Sequence, residues 1–230
     1  IDKVVPTLED VSTILRVLNP SATGQDMATY VTFSTGPKRE DDIAGPNSFH
    51  VVILDNGRSD LLGTEKQDVL RCIRCGACMN HCPVYGAVGG HAYGWVYPGP
   101  IGAALTPALV GIENSYHLPN ASSFCGRCEE VCPMRIPLPK IMRHWRHEEW
   151  KKKMPKPSVR FAFKLWLFLV LNPFLYKMIT SILIRILSFF GRRKGSFSYL
   201  PFATGWTSVR DFPSPEGKSF LSQWKGDNDD

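Results

Sequence analysis

Two stretches decide the reading of this chain. The first is Cys72-Ile-Arg-Cys75-Gly-Ala-Cys78-Met-Asn-His-Cys82-Pro83. The second is Cys125-Gly-Arg-Cys128-Glu-Glu-Val-Cys132-Pro133. The 230-residue chain has seven cysteines, and all of them lie in these two runs. An odd number of cysteines, spaced two and three apart, does not suit a secreted disulfide framework. It is the spacing of metal ligands, and thiolates reserved for metal imply a reducing, cytoplasmic setting.

The first run has the spacing C-x2-C-x2-C-x3-C-P, in which three thiolates wrap one corner of an iron–sulfur cubane and the cysteine before proline serves a second cluster. By this rule Cys72, Cys75, Cys78 and Cys132 hold one cluster, of [4Fe-4S] type. Cys82, Cys125 and Cys128 serve the other. Gly76 and Gly126 let backbone N–H groups approach the sulfurs, and Pro83 and Pro133 turn the chain away after each crossing ligand. The alternative is tetrahedral zinc on paired C-x2-C motifs, which has no use for a run of four cysteines closed by proline.

The second site is one cysteine short. Counting back from Cys132 in steps of four, three and three reaches Cys128, Cys125 and then Ser122. The site is therefore [3Fe-4S], or [4Fe-4S] with Ser122, another side chain or solvent as fourth ligand, or it is completed by a partner. The four-iron form with an unusual ligand is the favoured expectation. His81 stands between ligands but reads as a surface or tuning residue. His50, His91, His117, His144 and His147 show no metal spacing with one another.

Around these runs the composition, 43% hydrophobic and 21% charged, is that of an ordinary globular protein. The +6 net charge hides an asymmetry. Met134 to Gly195 holds fifteen Lys/Arg against two Asp/Glu, which leaves the rest of the chain at −7. That split suggests a basic docking surface. No nucleic-acid motif accompanies the basic residues, so no nucleic-acid partner is expected. There is no nucleophile–base pair, no phosphate loop and no catalytic residue to name. Gly86 to Gly94 resembles a dinucleotide fingerprint only superficially, since no strand precedes it.

Three regions are expected: residues 1–63 as the end of an α/β domain, 64–153 as the two-cluster domain, and 154–230 as basic amphipathic helices with an extended tail. Thr7 is placed to cap a helix that runs to Leu18, with Val11, Ile14, Leu15 and Leu18 on one face and Asn19-Pro20 as the stop. Ala28 to Ser34 and Phe49 to Leu54 read as strands, the second closed by the turn Asp55-Asn56-Gly57. The opening at Ile1 and the small number of strands suggest a piece of a longer protein. Thr64 is placed to cap a short helix before Cys72. Residues 84–124 read as an ordered Gly/Pro-rich loop, with a short helix over Pro107–Glu113. Pro137 to Lys153 reads as a helix with Leu138, Ile141, Met142, Trp145 and Trp150 inward.

Phe161 to Leu171 and Phe174 to Phe190 are apolar runs split by Asn172-Pro173. In the second, Lys177, Ser181, Arg185 and Ser188 share one helical face. Each run is short for a bilayer crossing, and the charges make crossing costlier. Residues 159–195 therefore suit a membrane surface, a groove on a partner, or a hairpin covering the cluster domain.

The cysteine runs, His91-Ala-Tyr-Gly, Val96-Tyr-Pro-Gly-Pro-Ile-Gly, Ser123-Phe-Cys and Gly205-Trp-Thr-Ser-Val-Arg-Asp-Phe-Pro together resemble the C-terminal half of the lactate utilisation protein B family. That resemblance covers nearly all of the chain. It implies an α+β chain: the remnant of an α/β domain, then an α-helical two-cluster ferredoxin-like domain of heterodisulfide reductase or succinate dehydrogenase iron–sulfur type, then a helical extension. It implies an electron-transfer subunit of a complex oxidising L-lactate to pyruvate. The partners would be a cysteine-rich subunit similar to heterodisulfide reductase and a small α/β subunit. The family shares the seven-cysteine arrangement, so Ser122 is not peculiar to this chain. The alternatives are the same electron wire for glycolate or a dithiol, and a scaffold whose clusters only hold the fold.

Overall fold

The computed structural model describes residues 5–34, 36–201 and 203–224. The chain forms two compact units that meet in sequence after Pro155. Regular structure is almost entirely helical.

The first unit opens with α1 (Leu8–Ala22). Thr7 caps it as expected, its hydroxyl accepting the Asp10 N–H at 3.2 Å. Val11, Ile14, Leu15 and Leu18 are half-buried on one face. Pro20 does not stop the helix but lies inside its last turn. A proline there forfeits only one backbone bond, and the Thr23 N–H still closes on Asn19.

The two expected strands do not form among the described residues. Ala28–Ser34 and Phe49–Leu54 carry no ladder, and Tyr30 and Val52 are 94% and 89% exposed. β-rich composition makes a strand only when a neighbour takes its N–H and C=O groups, and these runs do not pair with one another. The turn between them and the cysteines does form: Asn56 and Gly57 have positive φ, and the Asp55 carboxylate accepts from Gly57 and Ser59. The Ser59 hydroxyl is the first cause holding the Asp55 carboxyl below its usual range.

Before the first cysteines lie only 3₁₀ turns, Ser59–Leu61 and Gln67–Arg71. Thr64 does not cap an α-helix. Its hydroxyl donates to the Leu61 carbonyl and accepts the Lys66 N–H, which stabilises a turn instead.

The region 84–124 is mostly helix, not loop. After α2 (Ala77–Asn80) and α3 (Pro83–Val88) comes α4 (Gly99–Val110), then the single turns α5 (Ile112–Ser115) and α6 (His117–Asn120). Pro100 sits in the first turn of α4, where its missing N–H costs nothing. Helix α4 is buried through Pro107, so packing overrides the Gly/Pro composition. Gly102 is required: a Cβ there would run into the Tyr97 carbonyl.

After α7 (Arg127–Glu130), helix α8 (Leu138–Lys151) closes the unit. Leu138, Ile141, Met142 and Trp145 are buried, as their spacing predicts. The Trp145 indole N–H donates to the Ala104 carbonyl of α4 at 2.8 Å. The Lys66 ammonium lies 3.8 Å from the Trp145 ring centre. Trp150 is not inward but exposed. Glu149 takes the next inward position and accepts from the Asn120 amide at 2.8 Å.

The second unit is a hairpin of α9 (Pro157–Val170) and α10 (Pro173–Gly191), followed by β1 (Ser196–Phe197), α11 (Thr204–Thr207), β2 (Phe212–Pro213) and α12 (Phe220–Trp224). β1 and β2 pair antiparallel, Ser196 with Pro213 and Phe197 with Phe212. Gly191 is buried against Ser214 and Phe197. Helix α10 is long and apolar enough, by length and composition, to cross a membrane. Met178, Ile182, Leu183, Ile186 and Phe190 are exposed along it.

Candidate metal centre

The two cysteine runs fold into the same turn. In the first, Arg74 (φ +62°) precedes Cys75 and Gly76 (φ +80°) follows it. In the second, Phe124 (φ +54°) precedes Cys125 and Gly126 (φ +82°) follows it. Left-handed residues on either side of the cysteine curl the backbone around whatever the thiols hold, and glycine takes the second position without a Cβ penalty. Each glycine then opens a one-turn helix, α2 with Cys78 or α7 with Cys128. Cys82 and Cys132 follow at the same offset, each before a proline. Pro83 does more than turn the chain away: it opens α3, with the Cys82 sulfur accepting the Tyr85 N–H at 3.4 Å as the cap.

Cys72, Cys75, Cys78 and Cys132 line one cavity of about 310 Å³. Its walls are apolar, with Val69, Ile73, Ile101, Leu105, Ile136 and Leu138 among them. Among the described residues no three of His, Cys, Asp and Glu gather as closely as a single-ion site requires. A larger sulfur-bridged cluster suits four thiols spread around a hollow with apolar walls.

Cys82 lines a different space, of about 20 Å³, together with Ser122 and Tyr93. That is roughly the room of one water. Cys128 faces Cys125 and Cys82 electrostatically. Cys125 is exposed, so this second set opens to solvent. The two sets are back to back, because α2 packs on α7 and Cys78 senses Cys128.

Burial pushes the Cys78 thiol up to about 12, and the neighbouring Cys72, Cys128 and Cys75 add to it, while the Ile101 N–H opposes it. That N–H belongs to the first turn of α4, so a free helix N-terminus is aimed at a sulfur. Burial likewise pushes Cys128 up to about 11, helped by Cys125 and Cys82. Thiols crowded in this way ionise together only when positive charge is placed among them, which bound iron supplies.

Several surrounding groups had no role assigned from the sequence. The buried Tyr93 hydroxyl lies against the Cys82 sulfur, and burial, then Cys82, push it up to about 12. The Tyr97 hydroxyl accepts from Arg74 at 3.2 Å and from Arg58 at 3.5 Å. Arg146, on the basic face of α8, donates to the carbonyls of Pro119, Asn120 and Ser122 and stacks 4.1 Å from the Phe124 ring centre. His81 turns its Nδ1 to the Ala77 carbonyl at 3.0 Å, and His144 pairs with Glu65.

Residues 68–136 match the family model described as a 4Fe-4S dicluster domain, and residues 1–54 match the LUD domain. The lactate utilization protein B of Oceanobacillus iheyensis is 43% identical over 97% of this chain and 47% of its own length. That of Shouchella clausii is 43% identical over 97% of the chain and 47% of its own. That of Bacillus subtilis is 41% identical over 99% of the chain and 48% of its own. The chain thus spans about half the length of the curated relatives it matches. No solved structure matches.

Proposed function

Because this chain belongs to the lactate utilization protein B family, we propose that it carries electrons through two iron–sulfur clusters during L-lactate oxidation. Cys72, Cys75, Cys78 and Cys132 hold one [4Fe-4S] cluster. Cys82, Cys125 and Cys128 hold the second. The observation that carries this reading is the single cavity lined by Cys72, Cys75, Cys78 and the distant Cys132. It is the crossing pattern that the two-cluster spacing calls for.

When bound, each cluster accepts and releases one electron. The chain's own residues set how readily that happens. The N–H groups of Ile101 and Arg74 point at the Cys78 and Cys72 sulfurs and stabilise added negative charge there. The mostly apolar wall of the first cavity lowers the polarity around the sulfurs. Cys125, exposed, marks the second set as the side from which a redox partner approaches most closely. The chemistry on lactate belongs to another part of the assembly, with a cysteine-rich subunit and a small α/β subunit as partners. Residues 159–195, basic and apolar, dock on a membrane surface on the cytoplasmic side.

The test is an anaerobic reconstitution of the chain in its complex, followed by L-lactate addition. Bleaching of the thiolate-to-iron absorption by L-lactate is expected. Clusters that dithionite reduces but lactate does not would remove lactate as donor. Clusters that no physiological donor reduces would leave only a scaffold. Flotation with anionic liposomes tests the docking surface; unchanged flotation after Lys/Arg→Gln changes in 159–195 would remove its electrostatic part.

A further inference from the structure

We propose that Ser122 is an iron ligand: its Oγ holds, in the second cysteine set, the place that the Cys72 sulfur holds in the first. The inference rests on reading residues 68–136 as a two-cluster site. It adds the fourth donor that the second set lacks.

The first observation is the repeated turn. The Arg74 N–H donates to the Cys72 Sγ at 3.3 Å, and the Phe124 N–H donates to the Ser122 Oγ at 3.1 Å. In both cases the donor is two residues after the acceptor and has positive φ. Such an N–H stabilises an anionic donor atom. The second observation is independent of the turn: Ser122 and Cys82 line the same small cavity, although forty residues separate them in sequence. Cys82 is the crossing ligand of that set, so the fold brings Ser122 beside one of its three cysteines. The third is the anchoring of the segment. Arg146 donates to the Ser122 carbonyl at 3.0 Å and to the Pro119 and Asn120 carbonyls, and its guanidinium covers Phe124. The serine is thereby held in place rather than left to solvent.

Two other side chains near the set are less suited. His81 is committed to the Ala77 carbonyl through Nδ1. Tyr93 lines the cavity, but its hydroxyl faces the Cys82 sulfur, the position of a donor to a ligand.

The step balances simply. The Ser122 hydroxyl gives its proton to solvent as the Oγ–Fe bond forms, and no electron changes hands. The bond replaces a solvent oxygen at that iron. An alkoxide is a harder donor than a thiolate and favours the more oxidised iron. The second centre is therefore harder to reduce than an all-thiolate one would be.

The experiment compares the full chain with Ser122→Ala, Ser122→Cys and Tyr93→Phe after anaerobic reconstitution. Iron per chain, EPR of the air-free oxidised protein and the two midpoint potentials are read. The wild-type chain is expected to hold about eight irons and to be EPR-silent when oxidised. Ser122→Ala is expected to drop to about seven irons and to gain the oxidised signal of a three-iron centre. Ser122→Cys is expected to keep the full iron and the silence, with one of the two potentials raised. Retention of the first cluster in each variant reports that the fold survives. Four outcomes overturn the proposal: Ser122→Ala indistinguishable from wild type, Ser122→Cys with both potentials unmoved, loss of iron in Tyr93→Phe instead, or a three-iron signal already in wild type. A wild-type chain that takes up no iron overturns the two-cluster reading itself, which is a separate failure.

Discussion

Replacing Arg146 by alanine is expected to release the second cluster and spare the first. In the structure this guanidinium makes four close approaches to three carbonyls: Nε and Nη2 to Pro119 at 3.1 and 2.9 Å, and Nη2 to Asn120 and Ser122 at 3.0 Å each. The Nη2 hydrogens are shared, so these amount to about two full charge-assisted bonds, worth roughly 1.5 kcal/mol each net. The stacking on Phe124 adds on the order of 0.5–1 kcal/mol at a half-exposed site. A loss of about 3 kcal/mol raises the population of an opened Ser122–Cys125 turn by about 150-fold. The assay is iron transfer from the reconstituted chain to a ferrous chelator. About half of the iron is expected to leave up to about 100-fold faster than in wild type, with the other half unchanged. Arg146→Lys restores one donor without the fork and is expected to fall between. Unchanged release in Arg146→Ala, or loss of both halves together, would refute the role of this clamp.

Four further outcomes follow from the packing and the thiols. Gly102→Ala drives a methyl into the Tyr97 carbonyl and is expected to cost about 1–3 kcal/mol or more, read as a lower thermal midpoint of the reconstituted chain. Trp145→Phe leaves the Ala104 carbonyl without its indole partner and is expected to cost about 1–2 kcal/mol by the same measurement. The apoprotein is expected to lose stability as pH rises from about 9 toward 11–12. There the unfolded chain ionises its thiols while buried Cys78 and Cys128 keep their protons, so the unfolded state binds fewer protons. Cluster loading displaces those protons, so reconstitution is expected to speed up with rising pH between about 6 and 8; a rate that falls with pH would contradict it.

Local chemistry was the most legible part of the chain. The cysteine spacing, the Thr7 cap and most of the inward face of α8 each depend on residues close in sequence. What was not legible depends on distant partners. Helix α4 looked like a loop because Pro98, Gly99, Gly102 and Pro107 read as breakers. Yet Pro100 sits where a first turn tolerates it, and Gly102 is there for a close backbone approach. The runs at Ala28–Ser34 and Phe49–Leu54 have strand composition, but a strand is made by its neighbour, and no segment among the described residues supplies one. In the sequence Arg146 is one of fifteen cations between Met134 and Gly195; only the fold brings the carbonyls of Pro119, Asn120 and Ser122 beneath it. Ser122 was legible as a gap in a count. The likeness of its turn to that of Cys72 shows only in the Phe124 N–H contact.

The most direct test of the central claim is EPR of the fully reduced, reconstituted chain, with spin counting. Two cysteine sets interleaved through Cys82 and Cys132 and packed back to back through α2 and α7 predict two paramagnetic centres whose spectra are broadened by mutual coupling. Cys132→Ala should remove the centre shared with Cys72, Cys75 and Cys78 and leave the other one uncoupled. A single centre in the wild-type chain, or two centres with no coupling, would contradict the account.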